Sequence, residues 1–269
     1  MSIDLSSKFQ QKAPSATLSK IVLSLLQQRT TVRQHSEQGW TLLEGLLAMV
    51  VIAITVVSIS PPLLWATATR VQNQRAEQAL KLAQSEIDRV RAAVERGETD
   101  SGRLNRLPSV AGDEAFVRNG AGIAAPTAPK ATTMISSRDT CAADNGIAPA
   151  VNQFLQVDTN GDCTPDFLIQ TFRSQGLDGD ANRFGNGTGT NNTQLAGFVM
   201  GVRVYSVLAD AELRAGRGQR VPAPLKATSG LGNQRTHPLA VMYSTIVRSS
   251  SSSNLAIYQR LCPAGSGTC

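Results

Sequence analysis

Apolar positions along the chain fall into three regimes. Residues 1–39 are polar and carry no sustained period. From Leu42 to Trp65 the chain is apolar, and within Leu46–Ile59 only Thr55 and Ser58 are polar. A helix needs about 20 mostly apolar residues to cross a hydrocarbon core, so this stretch is long enough. Beyond it, Ala76, Leu80, Ala83, Ile87, Val90 and Val94 recur at steps of four and three. That spacing predicts one apolar stripe on an amphipathic helix. Glu77 and Lys81 form an i,i+4 pair in the favourable order, and Gly97 is a natural stop. The two stretches run into each other and predict one helix of more than 50 residues, its first half in lipid and its second half packed on a domain. Pro61 and Pro62 fall near their junction and are expected to kink the helix or break it locally.

The helical period ends at Gly97. Residues 98–150 are rich in Gly, Ala, Pro, Ser and Thr and read as a loop region, with one short element near Glu114–Arg118. Strand-like runs follow at Phe154–Val157, Phe167–Phe172, Phe198–Leu208 and Leu239–Val247, with a last short strand at Leu255–Gln259. The expected fold class is α+β: a long N-terminal helix packed on a C-terminal antiparallel β-sheet spanning residues 151–269.

Composition sharpens this picture in three ways. Aromatic residues make up only 4% of the chain, so the core outside the apolar segment should be modest. The net charge is +6, and residues 1–39 hold five bases and two acids, half of that excess. A basic flank before an apolar helix places the N-terminus in the cytoplasm. No Lys/Arg-rich run points to nucleic acid as a partner. All four cysteines, Cys141, Cys163, Cys262 and Cys269, follow the apolar segment. None forms a CxxC, so zinc is a poor match. Two disulfides in an oxidising compartment are expected, with four unpaired thiols as the alternative. Four cysteines allow three pairings; Cys141–Cys163 with Cys262–Cys269 is the pairing carried forward.

One acid, Glu44, interrupts the start of the apolar run, in the stretch "EQGWTLLEGLL". Gly39, Trp40, Thr41, Leu42, Leu43 and Glu44, the apolar run, Pro61 and the amphipathic helix occur in the order seen in the type IV pilin superfamily, which the chain resembles. The resemblance implies a pilin-like fold and a basic leader, residues 1–39, removed by a prepilin peptidase between Gly39 and Trp40. Trp40 would then be N-methylated; it stands where Phe is usual, and the leader is long for the family. Residues 40–65 would form the transmembrane and filament-core helix, and residues 66–97 the amphipathic half. Glu44 would pair with the N-terminal amine of a neighbouring subunit and set axial register during assembly. A single-pass anchor with a snorkelling glutamate is the plainer alternative.

Two further segments, "ATRVQNQRAEQALKLAQSEIDRVRAAVERG" and "QVDTNGDCTPDFLIQTFRSQG", look like the pseudopilins of hormogonium polysaccharide secretion in filamentous cyanobacteria, B subtype. This likeness implies a non-catalytic subunit of a short filament that supports polysaccharide export and gliding motility. Its implied partners are the prepilin peptidase, other pseudopilins or pilins, and the inner-membrane assembly platform. Its implied place is the plasma membrane, spanned once, with the C-terminal domain periplasmic. A minor pilin or a general type II secretion pseudopilin shares the N-terminal features. From a different class, a membrane-anchored extracellular enzyme or calcium-dependent binding module remains an alternative.

A candidate metal site is the run "DTNGDCTPD", which offers Asp158, Asn160, Asp162 and Asp166. Oxygen side chains at every second position resemble the first half of a calcium loop. The twelfth position holds Ile169 instead of Glu, however, and Gly161 falls at position four instead of six. Calcium is therefore one reading, and an Asx-rich turn between two strands the other.

Overall fold

A computed structural model describes residues 40–99, 103–138, 140–141, 146–184, 194–223, 233–250 and 252–262. Helix α1 (Trp40–Glu95) is 56 residues long and is assigned without interruption. The break expected at Pro61 and Pro62 is not present. The prolines remove two intrahelical donors, yet the helical assignment runs through them. The chain divides after Ile59 into two units, residues 1–59 and 60–269, described in turn.

In the first unit every described side chain from Thr41 to Ile59 is exposed. The only two hydroxyls within Leu46–Ile59 are turned back onto the helix: Thr55 Oγ1 donates to the Ile52 carbonyl at 2.8 Å and Ser58 Oγ to the Ile54 carbonyl at 2.7 Å. The surface is thus apolar in its hydrogen bonding as well as in its composition.

The second unit has its own core. Ala79, Ala83, Ile87, Val90 and Val94 of α1 are buried against one face of the sheet, where Phe167, Ile169, Phe198, Met200, Val202, Val204 and Ile246 meet them, and Ala76 before them is buried as well. Leu80, read from the sequence as part of the stripe, is 42% exposed, while Ala79 takes the inward place. One position is a turn of about 100°, and three small residues at 76, 79 and 83 let the helix lie close to the sheet. The helix ends as expected at Gly97, whose φ is +75°. Gly97 N–H donates to the Val94 carbonyl and Glu98 N–H to the Ala93 carbonyl, both at 3.0 Å, a Schellman closure that satisfies two of the last carbonyls.

Residues 98–150, expected to be loop around one short element near Glu114–Arg118, contain that element as α2 (Glu114–Asn119) and also two strands, β1 (Val110–Gly112) and β2 (Ala128–Ser136). Helix α2 starts where Asp113 accepts from Phe116 N–H at 2.8 Å. It ends at Gly120 with φ +63°. The later strands are β3 (Gln153–Asp158), β4 (Phe167–Ser174), β5 (Leu177–Asp178), β6 (Leu195–Ser206) and β7 (Ala240–Val247). Helix α3 (Asp210–Arg214) follows β6.

The sheet is mixed, where the sequence reading expected it to be antiparallel. β3–β4, β4–β6, β5–β6 and β6–β7 are antiparallel, with Val157 opposite Phe167, Phe172 opposite Gly201 and Gly201 opposite Tyr243. β2 pairs with β3 in parallel, and β1 with the end of β4 in parallel. Both parallel strands come from the region read as loop, so their direction could not be foreseen.

Strand β6 is buried along its whole length, because the sheet is covered on both faces. Opposite α1, Val117 of α2 packs with Phe172, Val199, Ile257 and Leu261. Beside this cluster, Leu213 of α3 packs with Phe154, Leu168 and Tyr205. Ile257 and Leu261 belong to α4 (Asn254–Leu261), so the last strand expected at Leu255–Gln259 is a helix. Its i,i+4 pair lies on Gly197, where a Cβ would come within 2.6 Å of Ile257 Cγ2; only glycine lets this helix sit on the strand.

The same face holds a buried cation. Arg203 is fully buried and donates to the carbonyls of Gly120 at 2.7 Å, Ile123 at 2.9 Å and Ala124 at 3.4 Å, and to Gln170 Oε1 at 3.2 Å. Its guanidinium lies over the Phe172 ring, 5.0 Å from the centroid. Gln170 also donates to the Ala124 and Val151 carbonyls. Arg203 and Gln170 thus clamp the segment after α2 to the sheet through its own backbone.

Candidate functional site

The segment around Glu44 is the first candidate. The stretch Thr41–Ser60 has a mean hydropathy of 2.5, and none of it is buried. It is one helix long and apolar enough to cross a membrane, consistent with a single-pass membrane protein. Leu42, Leu43, Leu46 and Leu47 are 61–78% exposed. Glu44 is exposed among them and makes no hydrogen bond or ion pair among the described residues. It lies four residues beyond Trp40, about 6 Å along the axis. Trp40 opens the helix. Gly39 and the rest of residues 1–39 lie outside the described residues.

The acidic turn is the second candidate, and its geometry does not fit a calcium ion. Asp158 is buried and its two oxygens are turned inward. Oδ1 accepts from the N–H groups of Asn160 at 3.1 Å and Gly161 at 2.7 Å. Oδ2 accepts from Ser136 Oγ at 2.7 Å and from Cys163 N–H at 2.9 Å. Burial by itself would push this carboxyl up, but the bonds from Ser136, Gly161, Cys163 and Asn160 together outweigh it and hold the group below its ordinary value. Asp162 is held low by the hydroxyl and N–H of Thr164. Asp166 accepts from Thr159 N–H at 2.9 Å and from its hydroxyl. Asn160 bonds Asp162 through both ends of its amide. The alternating oxygens are therefore spent in successive Asx turns instead of converging on one point. Among the described residues no group of three or more His, Cys, Asp or Glu is placed to hold a metal.

Disulfide chemistry braces this turn. Cys141 and Cys163 are bonded, with Cα atoms 5.3 Å apart. Cys163 has a positive φ of 63°, which the Asp158 bond and the bridge together hold. Cys262 is also disulfide-bonded; its expected partner Cys269 lies outside the described residues. The bridges accord with an oxidising compartment.

Two buried glutamines, Gln72 of α1 and Gln234 before β7, were not singled out from the sequence. Gln72 stands four residues before Ala76 and is 3% exposed, and Gln234 is 2% exposed. The signal was present: extending the stripe backwards from Ala76 lands on a glutamine.

No protein-family model, curated protein or solved structure matches this chain. The fold and the apolar segment define an α+β protein with a mixed sheet and, among the described residues, one helix long and apolar enough to cross a membrane.

Proposed function

We propose that the chain is a pseudopilin: a non-catalytic subunit stored in the membrane by its apolar helix and then assembled into an envelope filament. The observation that carries this reading is Glu44. A carboxylate in a lipid-facing position costs about 2.5–3.5 kcal/mol near the bilayer centre and less towards an end. Such a group is retained where it meets a partner. In this reading the partner is the amine created at Trp40 by cleavage after Gly39, offered by a neighbouring subunit. The basic front places the leader in the cytoplasm and the mixed-sheet unit outside, where its cysteines oxidise. The likeness of residues 68–97 and 156–176 to polysaccharide-secretion pseudopilins makes polysaccharide export the proposed process.

The test is an immunoblot of cells with and without the prepilin peptidase. Removal of 39 of 269 residues from a 28.5 kDa chain gives a shift of about 4 kDa. A chain of the same size in both strains would refute the pseudopilin reading and favour a plain membrane anchor.

A further inference from the structure

The bridged cysteines stand in opposite electrostatic surroundings. In the Cys141–Cys163 bridge, Cys141 is buried and Cys163 is exposed. Asp158 Oδ2 lies 3.7 Å from Cys141 Sγ, and the donors around Asp158 hold it as a carboxylate. The sulfur open to an incoming thiolate is that of Cys163, so Cys141 would have to leave as an anion beside an anion. Like charge at that range disfavours the charged form, and a less stable thiolate leaves more slowly. This bridge is placed to persist.

Cys262 has a cation beside it instead. It is half-buried and disulfide-bonded, and Cys269 is the one cysteine of the chain left to be its partner. Arg118 Nη2, from α2, donates to Cys262 Sγ at 3.3 Å. Thr245 Oγ1, from β7, lies 3.5 Å from the same sulfur; a bridged sulfur carries no proton, so the hydroxyl is the donor. Cys262 follows the last turn of α4, whose carbonyl end opposes a thiolate, but the same guanidinium nitrogen takes the Leu261 carbonyl at 2.7 Å. Burial lowers Arg118 from its ordinary value, while Tyr258 and Glu114 act to raise it; an arginine remains charged in either case. A thiolate beside arginine is favoured.

We propose that the Cys262 bridge is a thiol–disulfide exchange site for a dithiol partner, with Arg118 as the positioning residue that receives the leaving sulfur. A thiolate of the dithiol attacks the sulfur bonded to Cys262. The S–S bond breaks, and its electron pair leaves on Cys262 Sγ, beside Arg118. The second sulfur of the dithiol then attacks the mixed disulfide and releases the other protein sulfur. The dithiol has given up two electrons and ends as a disulfide, and the protein bridge has taken them up and ends reduced. The two protons of the dithiol pass to water or to the released sulfurs. The proposal does not depend on the pseudopilin reading.

The experiment reduces the full, detergent-solubilised chain with dithiothreitol, quenches at intervals by alkylation and follows both bridges in the same molecules by mass spectrometry. The Cys262 bridge should open about tenfold faster than Cys141–Cys163 or more, since a cation faces one leaving sulfur and an anion the other. Arg118→Gln, which keeps a donor but no charge, should slow the Cys262 bridge severalfold and leave the rate of Cys141–Cys163 as it was. Arg118→Lys should stay near the wild type. A loosened fold would open the Cys262 bridge faster, so the direction of the change separates the charge from a structural role. The proposal is overturned if the two bridges open together, if Cys141–Cys163 opens first, if Arg118→Gln opens as fast as the wild type or faster, or if Arg118→Lys is as slow as Arg118→Gln. The order of opening in the wild type decides even where Arg118→Gln fails to fold.

Discussion

Replacing Arg203 with methionine tests how the second unit is held together. The side chain is fully buried and ends in four hydrogen bonds, three of them to the backbone of residues 120–124. Methionine keeps much of the length and the contact with Phe172 but donates nothing. Gly120 and Ala124 keep other donors, from Ile123 N–H and from Gln170. The Ile123 carbonyl and Gln170 Oε1 are left wanting. Each stranded buried acceptor costs about 1–3 kcal/mol. Removing a buried guanidinium with no carboxylate beside it returns part of its desolvation cost. The net loss expected is about 2–4 kcal/mol. For a unit of the size of residues 60–269, each kcal/mol moves Tm by roughly 2–4 °C, so Arg203→Met should melt roughly 5–15 °C lower. Circular dichroism of the detergent-solubilised chain measures the melt. Hydrogen exchange should show faster exchange of the amides of residues 120–125 than elsewhere in the unit. Arg203→Lys should rescue little, since one ammonium cannot span carbonyls set out for a fork. A Met variant within 1 °C of wild type would show that the guanidinium clamp adds nothing to stability.

Further substitutions probe the other links. Ile87→Ala should cost about 2–5 kcal/mol as a core truncation and Leu80→Ala less than about 0.5; equal losses in denaturant titration would contradict the inward place of Ala79. Breaking the Cys141–Cys163 bridge, whose sequence separation is 22, should cost about 3 kcal/mol by the loop-entropy relation, read as a lower denaturant midpoint in the Cys141→Ser/Cys163→Ser double variant under non-reducing conditions. Asp158 is held below its ordinary value, so its contribution is present above about pH 3.9 and is lost as pH falls through the lower folded value. Asp158→Asn should therefore lower Tm at neutral pH and flatten the loss on acidification, and an unchanged acid limb would contradict this. Excess calcium should leave Tm unchanged, and a rise that saturates with calcium would overturn the Asx-turn assignment. Glu44→Ala should insert and be cleaved normally yet fail to enter filaments in sheared fractions; normal incorporation would refute its assembly role.

Local periodicity was enough to read α1, its end at Gly97 and the four strands β3, β4, β6 and β7, because helix and strand patterns are written within a few residues of one another. It also marked Glu44, since an acid in an apolar run is visible without any partner. What tertiary structure decided was non-local. The one-residue rotation that buries Ala79 and exposes Leu80 depends on how closely the helix can approach the sheet. The parallel direction of β1 and β2 depends on partners more than fifteen residues away. Leu255–Gln259 became a helix because Gly197 opens a seat for Ile257 and Leu261, and a short apolar run has no period of its own to resist. The acidic turn shows the limit most plainly. Its alternating oxygens left calcium open beside the Asx turns that such residues favour, and the inward rotation of Asp158 onto four donors chose between them. Arg203 and Gln72 look like ordinary polar residues in their segments; that both are buried is recorded by no local pattern and was decided by packing.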